Sequence, residues 1–247
     1  MEKEKMDIYI TLRRKAVELA ERTGLLALTV EVRARVLTPR EAIGDPGRLD
    51  FPLQKGKESL VEAQFQGARG QAFTDHPGHF TGTLGEVLAL PLEDDYHRAV
   101  FVATLNALLR HLGKATGTVH CRDEGPNRCA QELVNYLKER FGEPRVGFVG
   151  LQPALVEACS KYFPVRVLDL DPENIGRERF GALIEDGRAN TEEFQCWAQV
   201  LLVTGSTLTN GTIAEWLNTP CPAIFYGITI AGAASLLGLP RFCPCST

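Results

Sequence analysis

Apolar residues recur along this chain at two spacings, and the change from one to the other divides it. Between Met6 and Thr23, Ile8, Ile10, Leu12, Ala16, Leu19 and Ala20 follow the three-to-four-residue rhythm of an amphipathic helix, and Gly24 suits its C-cap. From Leu28 to Leu37 the pattern alternates, with Leu28, Val30, Val32, Ala34 and Val36 on one face of a half-buried strand. A loop rich in Gly, Pro and Asp runs from Thr38 to Lys57. Ser59–Phe65 and Gly70–Phe73 then flank Gln66-Gly67-Ala68-Arg69 and predict a hairpin. Thr83–Leu90 and Asp94–Leu112 are helical in pattern. This first region reads as helix, three strands and two helices, an α+β layout.

Past Gly113-Lys114-Ala115-Thr116-Gly117, which reads as a linker, helix and strand patterns alternate. Asn127–Phe141 is amphipathic, Val146–Val149 is a short buried strand, and Pro153–Tyr162 is a helix. Val165–Leu170, Val200–Val203 and Ala223–Tyr226 are further strands. Alternation of this kind predicts a mainly parallel sheet with helices on both faces, a Rossmann-like unit. The expected fold is therefore α/β, with an α+β domain at 1–115 and a Rossmann-like domain at 116–247.

Composition narrows the function classes. Of 247 residues, 44% are hydrophobic and 23% charged, ordinary proportions for a soluble globular chain. A net charge of −4, with no dense Lys/Arg cluster, argues against nucleic-acid and anionic-membrane partners. Cys221–Pro240 carries no charge and approaches spanning length, but glycines, Thr229 and Ser235 break it into a strand, a turn and a short helix through Ile230–Leu237. The charged start, Met1 to Met6, has no apolar signal core, and seven cysteines is an odd number. Together they point to a reducing cytoplasm and free thiols.

Six segments could carry chemistry. The buried run Val200–Val203 discharges into Thr204-Gly205-Ser206-Thr207-Leu208-Thr209-Asn210-Gly211-Thr212, and ligands of open α/β sheets collect at such strand ends. Capping of a helix through Ile213–Leu217 by Thr209 or Asn210 would use one of these groups. Tyr226-Gly227-Ile228-Thr229-Ile230-Ala231-Gly232 follows a neighbouring strand and should lie beside that loop. Gly147-Phe148-Val149-Gly150 is a third strand–helix turn, with Asp169 or Asp171 at the end of the next strand, where dinucleotide folds place a ribose-binding acid. The G-x-G-x-x-G fingerprint is absent, so a nucleoside cofactor is the weaker alternative.

The remaining candidates are metal donors. His120, Cys121 and Cys129 lie within a ten-residue stretch that could hold a transition metal, although the spacing matches no paired C-x-x-C pattern. The blander reading packs Cys129 at a helix start and uses Asp123 or Asn127 as its cap. Asp75-His76-Pro77-Gly78-His79 could contact ligand or metal, or could be a solvated loop. Cys243-Pro244-Cys245 offers two thiols, by default reduced and mobile.

The Thr204–Thr212 loop resembles the signature of a heavy-metal chelation family whose activity is itself inferred. Gly70-Gln71-Ala72-Phe73-Thr74-Asp75, with Gly82-Thr83-Leu84 downstream, is similar to the N-terminal domain usually joined to it. The resemblance spans about Leu28 to Pro244. It implies an enolase-N-terminal-like domain, a Rossmann-like domain, and a site between them. The expectation is a cytoplasmic protein that binds a small anionic or metal-complexed ligand in an interdomain cleft, with a homo-oligomer compatible. Thr204, Gly205, Ser206, Thr207, Asn210, Gly211, Gly150, Asp169 and Thr229 would line one wall, and Asp75 and His76 the other. A nucleoside-dependent group or methyl transferase and a non-catalytic small-ligand sensor are the alternatives.

Overall fold

The pattern of the first region closes into a four-stranded antiparallel sheet. A computed structural model describes residues 2–34, 39–56, 58–189 and 191–247. Helix α1 (Glu2–Thr23) leads to β1 (Thr29–Ala34), α2 (Pro39–Ile43), β2 (Ser59–Phe65), β3 (Ala68–Thr74) and β4 (His79–Thr83), in spatial order β3-β2-β1-β4. Val36, assigned to the first strand from its alternation, lies outside the described residues. The hairpin is tighter than expected. Gln66 and Gly67, at φ of 48° and 79°, form a two-residue turn with both residues left-handed, so Ala68 and Arg69 already belong to β3. The loop assigned to His79 is a fourth strand, paired with β1. It escaped detection because it lies at a sheet edge and has no apolar alternation.

Helices α3 (Leu84–Ala89) and α4 (Asp95–His111) follow. Thr83 caps α3 in a reciprocal box with Glu86, and Asp94 caps α4 through the His97 N–H. Every residue of α4 from Arg98 to Leu109 is buried, as befits a helix enclosed between two layers. Gly70 explains how closely β3 lies on α4: a Cβ there would fall 2.2 Å from the Ala107 nitrogen and 2.4 Å from the Ala103 oxygen.

The second region comprises α5 (Gly125–Phe141), β5 (Val146–Val149), α6 (Pro153–Ser160), β6 (Val165–Asp169), β7 (Glu178–Arg179), β8 (Ala182–Asp186), α7 (Thr191–Trp197), β9 (Val200–Thr204), β10 (Ala223–Tyr226), α8 (Ala231–Leu237) and β11 (Arg241–Phe242). The strands form one sheet in the order β11-β10-β9-β5-β6-β8-β7, parallel except for the β7–β8 pair. The short outer strands β7, β8 and β11 and helix α7 were not evident from pattern; Leu183, on β8, is 52% exposed, so burial does not order this edge as it does the centre. Ile213–Trp216 is a single 3₁₀ turn, and neither Thr209 nor Asn210 caps it. Cys221–Pro240 forms β10, a turn and α8, and no described helix is long and apolar enough to cross a membrane.

Alternate residues of the parallel strands feed two cores. Leu201, Val203 and Phe225 face one cluster, which also takes Tyr9, Val30 and Phe101 from the first region. Val200, Leu202, Ile224 and Tyr226 face the other, which takes Phe51, Leu53 and Leu60. Burial on both faces is why these strands read as continuous apolar runs.

One polar side chain joins the layers. Asn106, fully buried on α4, donates through Nδ2 to the carbonyls of Gln71 at 2.9 Å, Ile228 at 3.1 Å and Thr229 at 3.2 Å. Its Oδ1 accepts from the Gly232 N–H at 2.7 Å, in the first turn of α8. Replacing Asn106 with Leu keeps the volume but leaves that N–H without its acceptor. Asn106→Leu is expected to cost about 3 kcal/mol in urea unfolding, with an unchanged m-value. A variant as stable as the parent would remove Asn106 from this role.

Candidate functional site

Strand β5 has β6 on one side and β9 on the other, so successive connections leave it in opposite directions. The carboxyl ends of β5 and β9 flank the resulting crevice, where open α/β sheets hold their ligands. Gly150 ends β5 at φ +87°, and a Cβ there would lie 2.8 Å from Thr204 Cγ2 and 3.4 Å from the Tyr226 hydroxyl. That hydroxyl donates to the Gly150 carbonyl at 2.9 Å. The glycine therefore serves close packing of three strand ends.

The loop after β9 is built largely by its own hydroxyls. Thr204 Oγ1 accepts from the Ser206 N–H at 3.4 Å, and Thr207 Oγ1 donates to the Thr204 carbonyl at 2.8 Å. Asn210 Oδ1 accepts from the N–H and hydroxyl of Thr212, closing an Asx turn. Gly205 lies against Ile230 and Gly211, at φ +80°, against Arg98. Arg98 is itself buried and donates to the Thr209 carbonyl at 2.7 Å.

Two threonines dock this loop system onto the other sheet. Because β3 is an edge strand, Phe73 has backbone groups free to pair outward. Thr209 Oγ1 donates to the Phe73 carbonyl at 2.8 Å, and the Phe73 N–H donates to Thr229 Oγ1 at 3.0 Å. The junction brings the residues after β3 and before β2 towards the β6 strand end.

The charges of two acidic side chains, Asp169 and Asp75, bear on a third there. Glu58, immediately before β2, has its pKa pushed up to about 7, first by burial and then by Asp169 and Asp75. Asp169 is already engaged: one oxygen accepts from the Leu151 N–H at 2.8 Å, the other from the Asp171 N–H at 2.7 Å. The Tyr226 hydroxyl faces the same group; burial holds its pKa up, and Asp169 and Glu58 add to the effect. Asp75 continues outward to His76, whose Nδ1 lies 2.8 Å from Asp75 Oδ1 and 3.9 Å from Asp95 Oδ2. The ligand atoms of Asp75, His76 and Asp95 all fall within 4.8 Å of one another. The hydrogen bond to Asp75 raises the His76 pKa.

The structure thus brings together Thr204, Gly205, Ser206, Gly150 and Asp169, with Asp75 nearby and Thr229 in the docking junction. Glu58 was missed, because nothing in a lone acid before a strand distinguishes it from a solvated charge. His120, Cys121 and Cys129 lie elsewhere, at the start of α5. His120 is bonded through Nδ1 to the Cys121 carbonyl at 2.5 Å and packs edge-on to Phe73, and burial lowers its pKa to about 4. Neither Asp123 nor Asn127 caps α5: Asp123 Oδ1 accepts from the Asp45 N–H, and Asn127 donates to the Pro46 carbonyl. The groove of about 610 Å³ on this molecule lies outside the strand-end crevice, between the loop at Pro46–Asp50 and helices α5 and α6.

Residues 133–232 match the DUF364 family model, described as "Putative heavy-metal chelation". The matched stretch includes Gly150, Asp169, the Thr204–Thr212 loop and Tyr226, and omits Glu58 and Asp75. A protein of unknown function from the DUF364 family of Pyrococcus horikoshii is 15% identical, with a TM-score of 0.51 over 90% of this chain and 79% of that one. At that identity the likeness is one of fold, and it extends beyond the stretch matched by the family model. A second DUF364 protein of unknown function, from Desulfitobacterium hafniense, is 14% identical, with a TM-score of 0.46 over 74% of this chain and 73% of that one. No curated protein matches the chain.

The raised pKa of Glu58 gives a stability signature with a definite sign. Its folded value exceeds that of an unfolded carboxyl, so the protonated form favours folding, and that contribution disappears as pH rises from about 4.5 to about 7. Parent stability relative to Glu58→Gln should therefore fall across this window, as read by urea unfolding at pH 5 and pH 8. An identical difference at both pH values would show that Glu58 is not held in this environment.

Proposed function

We propose that this chain handles metal: it holds a cation, or a small ligand complexed to one, between the regions 1–115 and 116–247, taken as its two domains. The Asp75, His76 and Asp95 group, whose ligand atoms all fall within 4.8 Å of one another, carries this reading, with Glu58 and Asp169 adding negative charge beside it. Like charges brought together disfavour one another's ionisation, and a bound cation reverses that penalty. The same field opposes a simple anion, so of the ligands expected from the strand-end loop, the metal-complexed kind fits better. The description of the matched family, heavy-metal chelation, is consistent with it.

In this reading Glu58 and Asp75 supply oxygen donors, and Asp169 keeps the β5 turn in place while adding negative potential. The Tyr226 and Ser206 hydroxyls offer neutral partners to a complexed ligand. Thr207, Asn210, Gly205, Gly211 and Thr229 shape the wall rather than touch the cargo. Asp75, His76 and Asp95 form an outer station, where an imidazole and carboxylates suit borderline and harder divalent ions. His76 must lose its proton to ligate, so capture at this station strengthens as pH rises through its raised pKa.

The test uses tag-free protein carrying Cys121→Ser and Cys129→Ser, so that thiols do not contribute, and titrates Mn²⁺, Ni²⁺ and Zn²⁺ by calorimetry. The expected result is saturable binding of at least one ion, weakened at least about tenfold by Glu58→Gln with Asp75→Asn. Thermal unfolding should move in parallel, since an ion at a hundredfold excess over its Kd stabilises the native state by about 2.7 kcal/mol. Equal affinity in the carboxylate variant would overturn the assignment.

A further inference from the structure

Four of the seven cysteines, separated in sequence by more than a hundred residues, are gathered at one place that the carboxylate site does not use. Cys129 lies in the first turns of α5, and Cys121 just ahead of that helix. Gly125 makes room for Cys121: a Cβ on Gly125 would lie 2.8 Å from Cys121 Cβ and 3.3 Å from its sulfur. Strand β11 delivers Cys243 to the same spot by pairing with β10. Ser246 then turns the chain back, bonding the Cys243 carbonyl through both its N–H and its hydroxyl.

The segment expected to be mobile is instead fastened. Thr247 and Val119 exchange two backbone hydrogen bonds, of 2.8 and 3.0 Å. Arg241 donates to the carbonyls of Thr116 and Gly117 and to the Ser246 hydroxyl. As a result Cys245 is only 8% exposed and Cys129 only 9%. Arg128 Nε lies 3.4 Å from the Cys245 sulfur. Each of Cys121 and Cys129 feels the charge of Cys243 and Cys245, so the four thiols form one electrostatic group. None is in a disulfide.

We propose that Cys121, Cys129, Cys243 and Cys245 form a four-thiolate centre that holds an iron–sulfur cluster. Four thiolates with buried surroundings and an N–H donor aimed at sulfur are the ligand set such clusters take. Spacing decides between a cluster and a single ion. A tetrahedral zinc site, with bonds of about 2.3 Å, draws its sulfurs to roughly 3.8 Å apart. Among the described residues, Asp75, His76 and Asp95 are the group whose ligand atoms all fall within 4.8 Å, and no trio of these sulfurs does. A 4Fe–4S cluster binds each sulfur to a different iron and so accommodates the wider set. Arg128 offsets part of the negative charge that thiolates and cluster bring together. The centre lies outside residues 133–232 and stands independently of the carboxylate site.

Anaerobic reconstitution of the full chain with equal amounts of ferric and ferrous iron and with sulfide tests this, followed by gel filtration, iron and sulfide analysis, and visible and Mössbauer spectroscopy. The expected result is stoichiometric cluster with its thiolate-to-iron absorption band. Cys243→Ser, at a partly exposed position that leaves the core intact, should lose it, as should Cys121→Ser; Cys196→Ser, at an exposed and distant thiol, should retain it. Circular dichroism of the unreconstituted variants checks that they fold. Absence of the band in the parent, its retention in Cys243→Ser and Cys121→Ser, or binding of one Co²⁺ with tetrahedral thiolate spectra and no cluster would each overturn the proposal.

Discussion

The Asn106 carboxamide reaches from α4 to the β10–α8 turn and to β3, and most of the architecture relevant to the site depends on that reach. A fully buried amide is costly unless its donors and acceptor are all used. Here Gln71, Ile228, Thr229 and Gly232 use them. The same contacts hold Thr229 against Phe73 and so fix where β3 runs relative to β10. Displacing Asn106 would release the junction that carries Asp75 and Glu58 towards Asp169.

The strand-end loop has two duties that compete for the same groups. Thr204, Thr207, Thr209 and Asn210 spend their polar atoms on turns and on docking. A hydroxyl-rich loop at the end of a parallel strand looks like a ligand cradle, yet most of its hydroxyls hold up the fold. In the proposed reading the chemistry moves to Glu58, Asp75, Asp169 and the Tyr226 hydroxyl. The charges of Asp169 and Asp75 hold the Glu58 pKa up, which in the proposed reading favours a cation over a simple anion.

Separation of donor types follows from the same layout. Oxygen donors and one imidazole gather where β2, β3 and β6 converge, whereas thiols gather where α5 meets the segment after β11. Hard and soft donors favour different metals. A protein with both sets in different places can hold one kind of metal without exposing it to the other's ligands.

Local pattern determined much of this protein. Continuous apolar runs marked β5, β9 and β10 because both faces of a central parallel strand are buried, and 3.6-residue periodicity marked α1, α4 and α5. The glycine-bounded turns at Gln66–Gly67 and Gly150 were readable too, since they need backbone angles that few other residues adopt. Edge strands β4, β7 and β11 were not, because half-exposed residues obey no strong alternation. The Thr204–Thr212 loop was found by its position after a strand, but not that Thr209 docks it onto the Phe73 carbonyl, a partner distant in sequence. Glu58 beside Asp169, and Cys121 beside Cys243, belong to the tertiary structure alone: sequence spacing carries residue identity and local period, while proximity across a hundred residues is set by how sheets and helices pack.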